Sequence, residues 1–394
     1  MMRLRINRLE LSGGLADIGV LLPIMAAMVA INHVNPFIAP LLCGLFYIAT
    51  SLYYQVPVPV QPLKVFCTVA IAIKASPDLI SAGTLLIGVI FLVISIPRVM
   101  IFIKKLFPLP IIRGIQLGTG LLLIDSGIKI FISSQVITGG PTETISLLNF
   151  TFPTALFLGI VCTVILLYFL QNPKYPVGLV LIVIGIGISI AFGAEIPNSL
   201  IKLEPIIFID TIGRLQMDTI LQALWLLVLP QVPLSVGNAV VATENTLKIY
   251  FKEQANKVKA SRLSLGMGCF NVLSGLLGGI PCCHGCGGVT AHYRLGARTG
   301  TATLLTGTLY ILLAMAVYFL GASIFKFFPY PILGALLIYV GLEHGLLIRD
   351  MTTRLDLAIV LIIASIAFTT RNMTIAFMAG MIVRKIAISK KIFA

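Results

Sequence analysis

Two short segments place helix-breaking residues and polar side chains inside an otherwise apolar chain. They are residues 56–64 (VPVPVQPLK) and residues 279–288 (GIPCCHGCGG). Backbone without helical hydrogen bonds is tolerated at membrane depth only where protein or a water-filled cavity surrounds it. Paired interruptions of this kind, one in each half of a hydrophobic chain, are typical of a solute-binding site between broken helices.

The side chains of both segments are suited to an anion that only accepts hydrogen bonds. Gln61, Lys64 and His284 carry N–H donors. A helix that begins after each interruption adds free N–H groups and a partial positive charge of about 0.5. Three glycines would let an anion approach the backbone closely, and they are Gly285, Gly287 and Gly288.

Composition makes the chain an all-α polytopic membrane protein. Of its 394 residues, 58% are hydrophobic and 11% are charged, and the mean hydropathy is +1.05, whereas soluble domains carry about 25% charged residues. The net charge of +14 is expected from Lys and Arg in cytoplasmic loops, so nucleic acid is not predicted as a partner. The seven cysteines show no disulfide framework.

Hydropathy predicts about 14 membrane segments. Twelve stretches are long enough to span, whereas 60–74 and 286–299 start at the interruptions and are too short or too polar, so they are interpreted as half-helices. With the N-terminus inside, about three quarters of the 28 Lys and Arg residues fall on the cytoplasmic side, and both termini are cytoplasmic. The twelve stretches are 11–31, 37–54, 79–103, 110–130, 153–170, 176–193, 219–247, 261–279, 301–321, 331–347, 355–370 and 373–389.

The order of these segments predicts an internal repeat. Residues 1–200 hold segments one to seven and residues 201–394 hold segments eight to fourteen, with a half-helix third in each set, at segments 3 and 10. Because seven is odd, the second copy is inverted in the membrane, as in many secondary transporters. No soluble regulatory domain is expected.

Five stretches give the chain a resemblance to the molybdate permeases of plants and microbes, which are distant relatives of the SulP sulfate transporters. One position departs from the family pattern, because Leu63 stands where the family usually has Met. The stretches are 15–23 (LADIGVLLP), 57–64 (PVPVQPLK), 108–117 (PLPIIRGIQL), 230–239 (PQVPLSVGNA), and 280–288 (IPCCHGCGG) continuing to 293–300 (YRLGARTG).

The resemblance implies a seven-plus-seven inverted-repeat fold shared with SulP and uracil/purine permeases. In that fold the anion lies between the N-termini of the third and tenth helices, and one helix bundle moves against the other. The implied function is secondary-active import of a tetrahedral oxyanion, molybdate first, with sulfate or tungstate as alternatives. The substrate-binding residues predicted from the motifs and the resemblance are Gln61, Pro62, Lys64, Gln231, Asn238, Cys283, His284, Gly285, Gly287 and Gly288.

Intramembrane ionisable residues are functional candidates by default. Lys64 either contacts the anion or extends to an interface. Asp17, beside Gly19, would repel a dianion at contact, so it is assigned to a supporting ion pair or to proton coupling, and Glu244 is the second coupling candidate. Gln231 and Asn238, seven residues apart on one helix face, either line the cavity or bond between helices.

Other interpretations remain open at this point. A bicarbonate or nucleobase carrier would share the fold, although neither interruption holds an aromatic residue for stacking. A membrane metal-binding protein would use residues 282–286, but four such ligand types within five residues fit one ion poorly, so no metal or other cofactor is predicted. No catalytic motif appears, and no enzyme activity is expected. The predicted location is a prokaryotic inner or plasma membrane. Co-transported protons and a homodimer are left open.

Overall fold

A computed structural model defines the fold. The described residues are 7–15, 18–106, 108–132, 136, 144–147, 150–169, 184–185, 187–191, 216–321 and 329–389. Before residue 200 the helices are α1 Arg8–Gly14, α2 Ile18–Asn32, α3 Ile38–Tyr54, α4 Lys64–Ala72, α5 Pro77–Ile94, α6 Pro97–Leu106, α7 Leu109–Ile132 and α8 Thr154–Phe169.

The second part of the chain follows a similar order of helices. They are α9 Met217–Ala255, α10 Ala260–Leu276, α11 Cys286–Arg294, α12 Thr301–Leu320, α13 Tyr330–Gly345, α14 Arg354–Thr370 and α15 Met373–Ser389. The strands are β1 Gln61–Pro62, β2 Thr144–Leu147, β3 Phe150–Pro153 and β4 Cys282–Cys283.

Several described helices are long and apolar enough to cross a bilayer, in agreement with an integral membrane protein. Shorter apolar helices such as α3 and α8 add to them. Residues 184–185 and 187–191, the described part of the predicted span 176–193, are helical. The five long helices are Pro77–Ile94, Leu109–Ile132, Met217–Ala255, Thr301–Leu320 and Tyr330–Asp350.

Local sequence explains where helices begin. Ser76 precedes α5, and its side chain accepts a hydrogen bond from Leu79 N at 3.3 Å. Thr353 does the same for Asp356 N at 3.1 Å before α14. Short hydroxyl side chains in this position satisfy N–H groups that have no partner within the helix. The predicted spans 79–103 and 355–370 therefore start close to their capping residues.

The prediction of one span over residues 79–103 is wrong at its end. Helix α5 stops at Ile94, and a separate helix α6 begins at Pro97. Proline has no N–H and suits the first turn of a helix, so the chain starts anew there. A short hairpin, β2 with β3, also lies between the predicted spans 110–130 and 153–170 and reaches the first residue of the second.

The helices pack in a reciprocal pattern across the two parts of the chain. Helix α3 packs on α12, α5 on α10, and α7 on α13. Counting from α2 and from α9, the second helix of each part meets the fourth helix of the other. Glycines allow these close crossings. A Cβ built on Gly44 would lie 2.8 Å from Gly307 O, and a Cβ built on Gly307 would lie 2.8 Å from Gly44 O. Small residues at such crossings are typical of membrane helices.

Candidate anion site between two half-helices

The two interrupted segments meet as a short antiparallel strand pair. Gln61 of β1 is opposite Cys283 of β4, and Pro62 is opposite Cys282. Leu63 N also donates to Pro281 O at 3.0 Å. Because prolines prevent both segments from continuing as helix, strand pairing satisfies part of their backbone.

A half-helix begins directly after each strand. Helix α4 starts at Lys64 and α11 at Cys286, and each has 9 residues. At 1.5 Å per residue each is about 14 Å long, roughly half of the 30 Å hydrocarbon core. The predicted half-helices over 60–74 and 286–299 are therefore confirmed as short helices.

Buried side chains hold the remaining backbone of both interruptions. Asn271 of α10 donates from Nδ2 to Cys282 O and accepts from Cys282 N, both at 2.8 Å. Tyr47 of α3 donates to Val60 O at 2.7 Å. Asn271 and Tyr47 are fully buried. These contacts hold the strand pair in place, because each satisfies a polar backbone group of a buried residue.

Two amides of α9 reach the beginnings of the two half-helices. Gln231 Oε1 accepts from Phe66 N at 2.9 Å, in the first turn of α4. Asn238 Oδ1 accepts from the Cys286 thiol at 2.8 Å, at the start of α11. Gln231 and Asn238 therefore make interhelical hydrogen bonds, and one helix contacts both N-termini.

Several N–H groups of the two first turns have no acceptor within the described residues. They belong to Lys64 and Val65 of α4 and to Gly288 of α11. Gly287 is exposed although Gly285 and Gly288 on either side are buried, and a Cβ built on Gly287 would meet nothing within 4 Å. Open space thus lies against the N-terminus of α11.

Lys64 brings a positive charge to this space. Its side chain is half-buried and has no hydrogen-bond or ion-pair partner among the described residues. Its ammonium is close enough to act electrostatically on the Cys286 thiol, as is the guanidinium of Arg113 on α7. The site therefore combines two helix N-termini with a cation that the rest of the described chain leaves unpaired.

His284 directly follows β4 and bonds to the backbone of the other interrupted segment. Its Nδ1 donates to Pro59 O at 2.8 Å, and its Nε2 is buried without a partner among the described residues. The rings of Phe46 and Tyr54 lie 5.2 and 6.4 Å from the imidazole. Because the Pro59 carbonyl fixes the proton on Nδ1, donation from Nε2 requires a second proton on the ring.

The remaining predicted binding residues support the backbone of the site. The Gln61 side-chain oxygen lies directly against Gly285 Cα, where a Cβ would overlap it. The Cys283 thiol donates weakly to Pro62 O at 3.8 Å. A larger residue at position 285 would therefore force the end of the Gln61 side chain to move.

Of the two candidates for proton coupling, the structure describes the contacts of Glu244 only. Glu244 pairs with Lys248 at 2.6 Å, and its other oxygen accepts from Ala260 N at 3.1 Å, where α10 begins. These contacts tie Glu244 to the junction of two helices. Asp17 lies outside the described residues, and Gly19 lies in α2 without described surroundings.

The cysteines beside the site form close thiol contacts. Cys43 Sγ and Cys282 Sγ are 3.5 Å apart, and both residues are fully buried. Among the residues that the structure describes, no group of three or more His, Cys, Asp or Glu side chains is arranged to hold a metal ion.

Comparison with known proteins identifies the family. The family model described as "Molybdate transporter of MFS superfamily" matches residues 9–123 and 223–343, more than half of the chain. The chain belongs to this molybdate transporter family. "Molybdate transporter 1" of Arabidopsis thaliana is 26% identical over 406 residues, which cover 94% of this chain and 86% of the plant protein. The relative is named as a transporter, not as an enzyme.

Solved structures show the fold of this family member. The transmembrane domain of a cyanobacterium bicarbonate transporter, BicA, matches with a TM-score of 0.63 at 16% identity, covering 97% of this chain and 99% of that one. The murine Solute Carrier 26 family member A9 anion transporter, in the inward-facing state, gives a TM-score of 0.64 at 15% identity, covering 98% and 69%.

Sequence reasoning missed the residues that hold the interrupted backbone. Asn271 and Asn32 are each an isolated amide in an apolar helix, which is the signal that could have found them. Asn32 donates to Ala70 O at 2.9 Å and to Ala75 O at 3.0 Å, and so holds the far end of α4. Tyr47 gave no such signal, because an aromatic residue in an apolar helix is ordinary.

Proposed function

We propose that this protein is a secondary-active transporter that imports molybdate, bound between the N-termini of α4 and α11. The observation that carries the proposal is the Lys64 ammonium, which has no partner among the described residues and stands beside two half-helix N-termini, with open space at Gly287. A half-buried ammonium without a partner is costly, and a bound anion would remove that cost.

The charges favour a dianion. Each helix N-terminus contributes about half a positive charge, so two of them together with Lys64 supply about two. Molybdate, tungstate and sulfate carry two negative charges, whereas bicarbonate carries one and a neutral nucleobase none. Family membership favours molybdate among the dianions.

The proposed architecture is a seven-plus-seven inverted repeat over residues 1–200 and 201–394. The reciprocal packing of α3 on α12 and α5 on α10 supports it, as do the two separate stretches matched by the family model. One bundle would carry α4 and α11, and the other would carry α7 and α13. Movement between these bundles would expose the anion to each side in turn.

Several finer features belong to the same proposal. Both termini are cytoplasmic, the membrane is the plasma membrane of a prokaryotic cell, and import is coupled to protons through Asp17 or Glu244. The contacts of Glu244 with Lys248 and Ala260 N favour Asp17 as the coupling residue.

The frame of the site is formed by Gln61, Pro62, Cys283 and His284, and the half-helix N–H groups form its inner surface. A homodimer remains an open alternative.

The test is anion binding to the purified protein by calorimetry in detergent. Molybdate, tungstate, sulfate and bicarbonate are titrated into the wild type, Lys64→Gln and Lys74→Gln. Lys74 is a matched control because it lies on the same segment, just past the other end of α4, and is exposed. Molybdate binding that is lost only in Lys64→Gln is expected. A folded wild type that binds none of the dianions would overturn the proposal.

A further inference from the structure

Arg113 is a second cation, and it lies on α7, outside the bundle that we propose to carry Lys64. It is in the first two turns of α7. Its Nε and Nη2 donate to both carboxylate oxygens of Asp350, at 3.0 and 2.5 Å, and its Nη1 donates to Gln116 Oε1 at 2.8 Å. The guanidinium is thus held in a fixed plane by two neighbours.

The residue before Arg113 packs close to the N-terminus of α11. That residue, Ile112, packs against Gly237 of α9. A Cβ built on Gly237 would lie 2.8 Å from Ile112 Cδ1. Gly237 is followed by Asn238, which binds the Cys286 thiol. The charge of Arg113 acts on that thiol together with the charge of Lys64.

Asp350, the present partner of Arg113, resembles the proposed substrate. A carboxylate offers two oxygens in parallel to a guanidinium, and an oxyanion offers the same pair. The side chain of Arg113 is 19% exposed and that of Asp350 is 44% exposed. A displaced Asp350 carboxylate can therefore be hydrated, whereas the more buried guanidinium still needs an anionic partner, which the dianion would supply.

We propose that Arg113 is a second contact for the transported oxyanion, taken up after Lys64 and reached by displacing Asp350. Gln116 keeps the guanidinium oriented while the carboxylate leaves. Because Arg113 lies on α7 and Lys64 on α4, the anion would pass from one bundle to the other at this step. This inference rests on the proposed function and adds a specific exit contact to it.

The test compares four variants in two measurements: molybdate affinity in detergent, and molybdate exchange by protein reconstituted in liposomes. Arg113→Gln removes the charge, and Arg113→Lys keeps the charge but loses the two-pronged geometry. Asp350→Asn releases the guanidinium. Arg349→Gln is the matched control, because it removes an exposed cation from the same turn.

Both Arg113 variants are expected to slow exchange by at least about tenfold, the scale of one charge-assisted hydrogen bond. Their molybdate affinity should stay within about threefold of the wild type, because Lys64 and the helix ends still bind the anion. Asp350→Asn is expected to bind molybdate more tightly and to release it more slowly. Arg349→Gln is expected to behave as the wild type.

Three results would overturn the inference. Arg113→Lys could exchange at the wild-type rate, which would mean that only positive charge matters. Arg113→Gln could exchange like Arg349→Gln. If the Arg113 variants do not fold, an unchanged affinity in Asp350→Asn decides against it. A wild type that binds no molybdate would refute the proposed function and this inference together, whereas the first three results leave the proposed function intact.

Discussion

A methyl group placed on Gly287 should block the anion without harming the fold. Gly287 lies in the first turn of α11, and a Cβ there would meet nothing within 4 Å. Its φ is not positive, so alanine can adopt its backbone conformation. The new methyl would occupy the open space that we assign to the oxyanion. Gly266 of α10 is the matched control, because it is also a helical glycine with an open Cβ direction.

The expected sizes follow from this geometry. Each substitution should change the free energy of unfolding by less than about 1 kcal/mol, and in the stabilising direction, since alanine favours helix over glycine. In Gly287→Ala the anion must retreat from at least one backbone N–H. A hydrogen bond to a charged group contributes about 1.5–3 kcal/mol, so the dissociation constant for molybdate should rise about 10- to 150-fold.

The assay is calorimetric titration of molybdate into both variants, alongside a thermal unfolding curve of each. Gly287→Ala should lose affinity without a lower unfolding midpoint, whereas Gly266→Ala should keep its affinity, also without a lower midpoint. Wild-type affinity in Gly287→Ala would refute the placement of the anion at the α11 N-terminus. Equal losses of affinity in both variants would point instead to a general effect of stiffening the helices.

Two further predictions concern the frame of the site. Asn271→Leu should lower the free energy of unfolding by about 2–4 kcal/mol, because it leaves the buried N–H and C=O of Cys282 without partners; an unchanged denaturation midpoint would contradict this. Arg371, which donates to Ala72 O at 3.5 Å and to Asp125 at 2.6 Å, should anchor the end of α4. Arg371→Gln should therefore speed amide hydrogen exchange at residues 70–75, whereas Lys129→Gln, which removes only another partner of Asp125, should not.

The interruptions were the part of the fold that the sequence predicted best. Prolines and glycines stop a helix through local sterics alone, so 60–74 and 286–299 could be recognised as short from composition. The boundary at Pro97 could not, because a proline at a helix start and a proline that kinks a longer helix have the same local sequence. Only the packing around residues 95–97 distinguishes the two cases.

Side-chain roles in the site were harder to predict, because they depend on the direction in which each side chain leaves its helix. Gln231 and Asn238 are seven residues apart, which puts them on one face of a regular α-helix. In the structure a π-helical stretch, Ser235–Ala242, covers part of this interval and changes the angle between the two side chains. Each amide therefore reaches a different half-helix, and periodicity alone does not reveal this.

Helix α9 links the two half-helices, because its π-helical stretch lets its two amides point to different partners. Because α9 bonds to Phe66 N of α4 through Gln231 and to Cys286 of α11 through Asn238, the two half-helices are joined through a third element. The strand pair β1 with β4 joins them a second time. Two links at the same end hold both N-termini at a fixed separation, which is what a tetrahedral anion of fixed size requires. We therefore expect the binding site to move as one rigid unit, and access to it to change only where this unit meets α7 and Arg113.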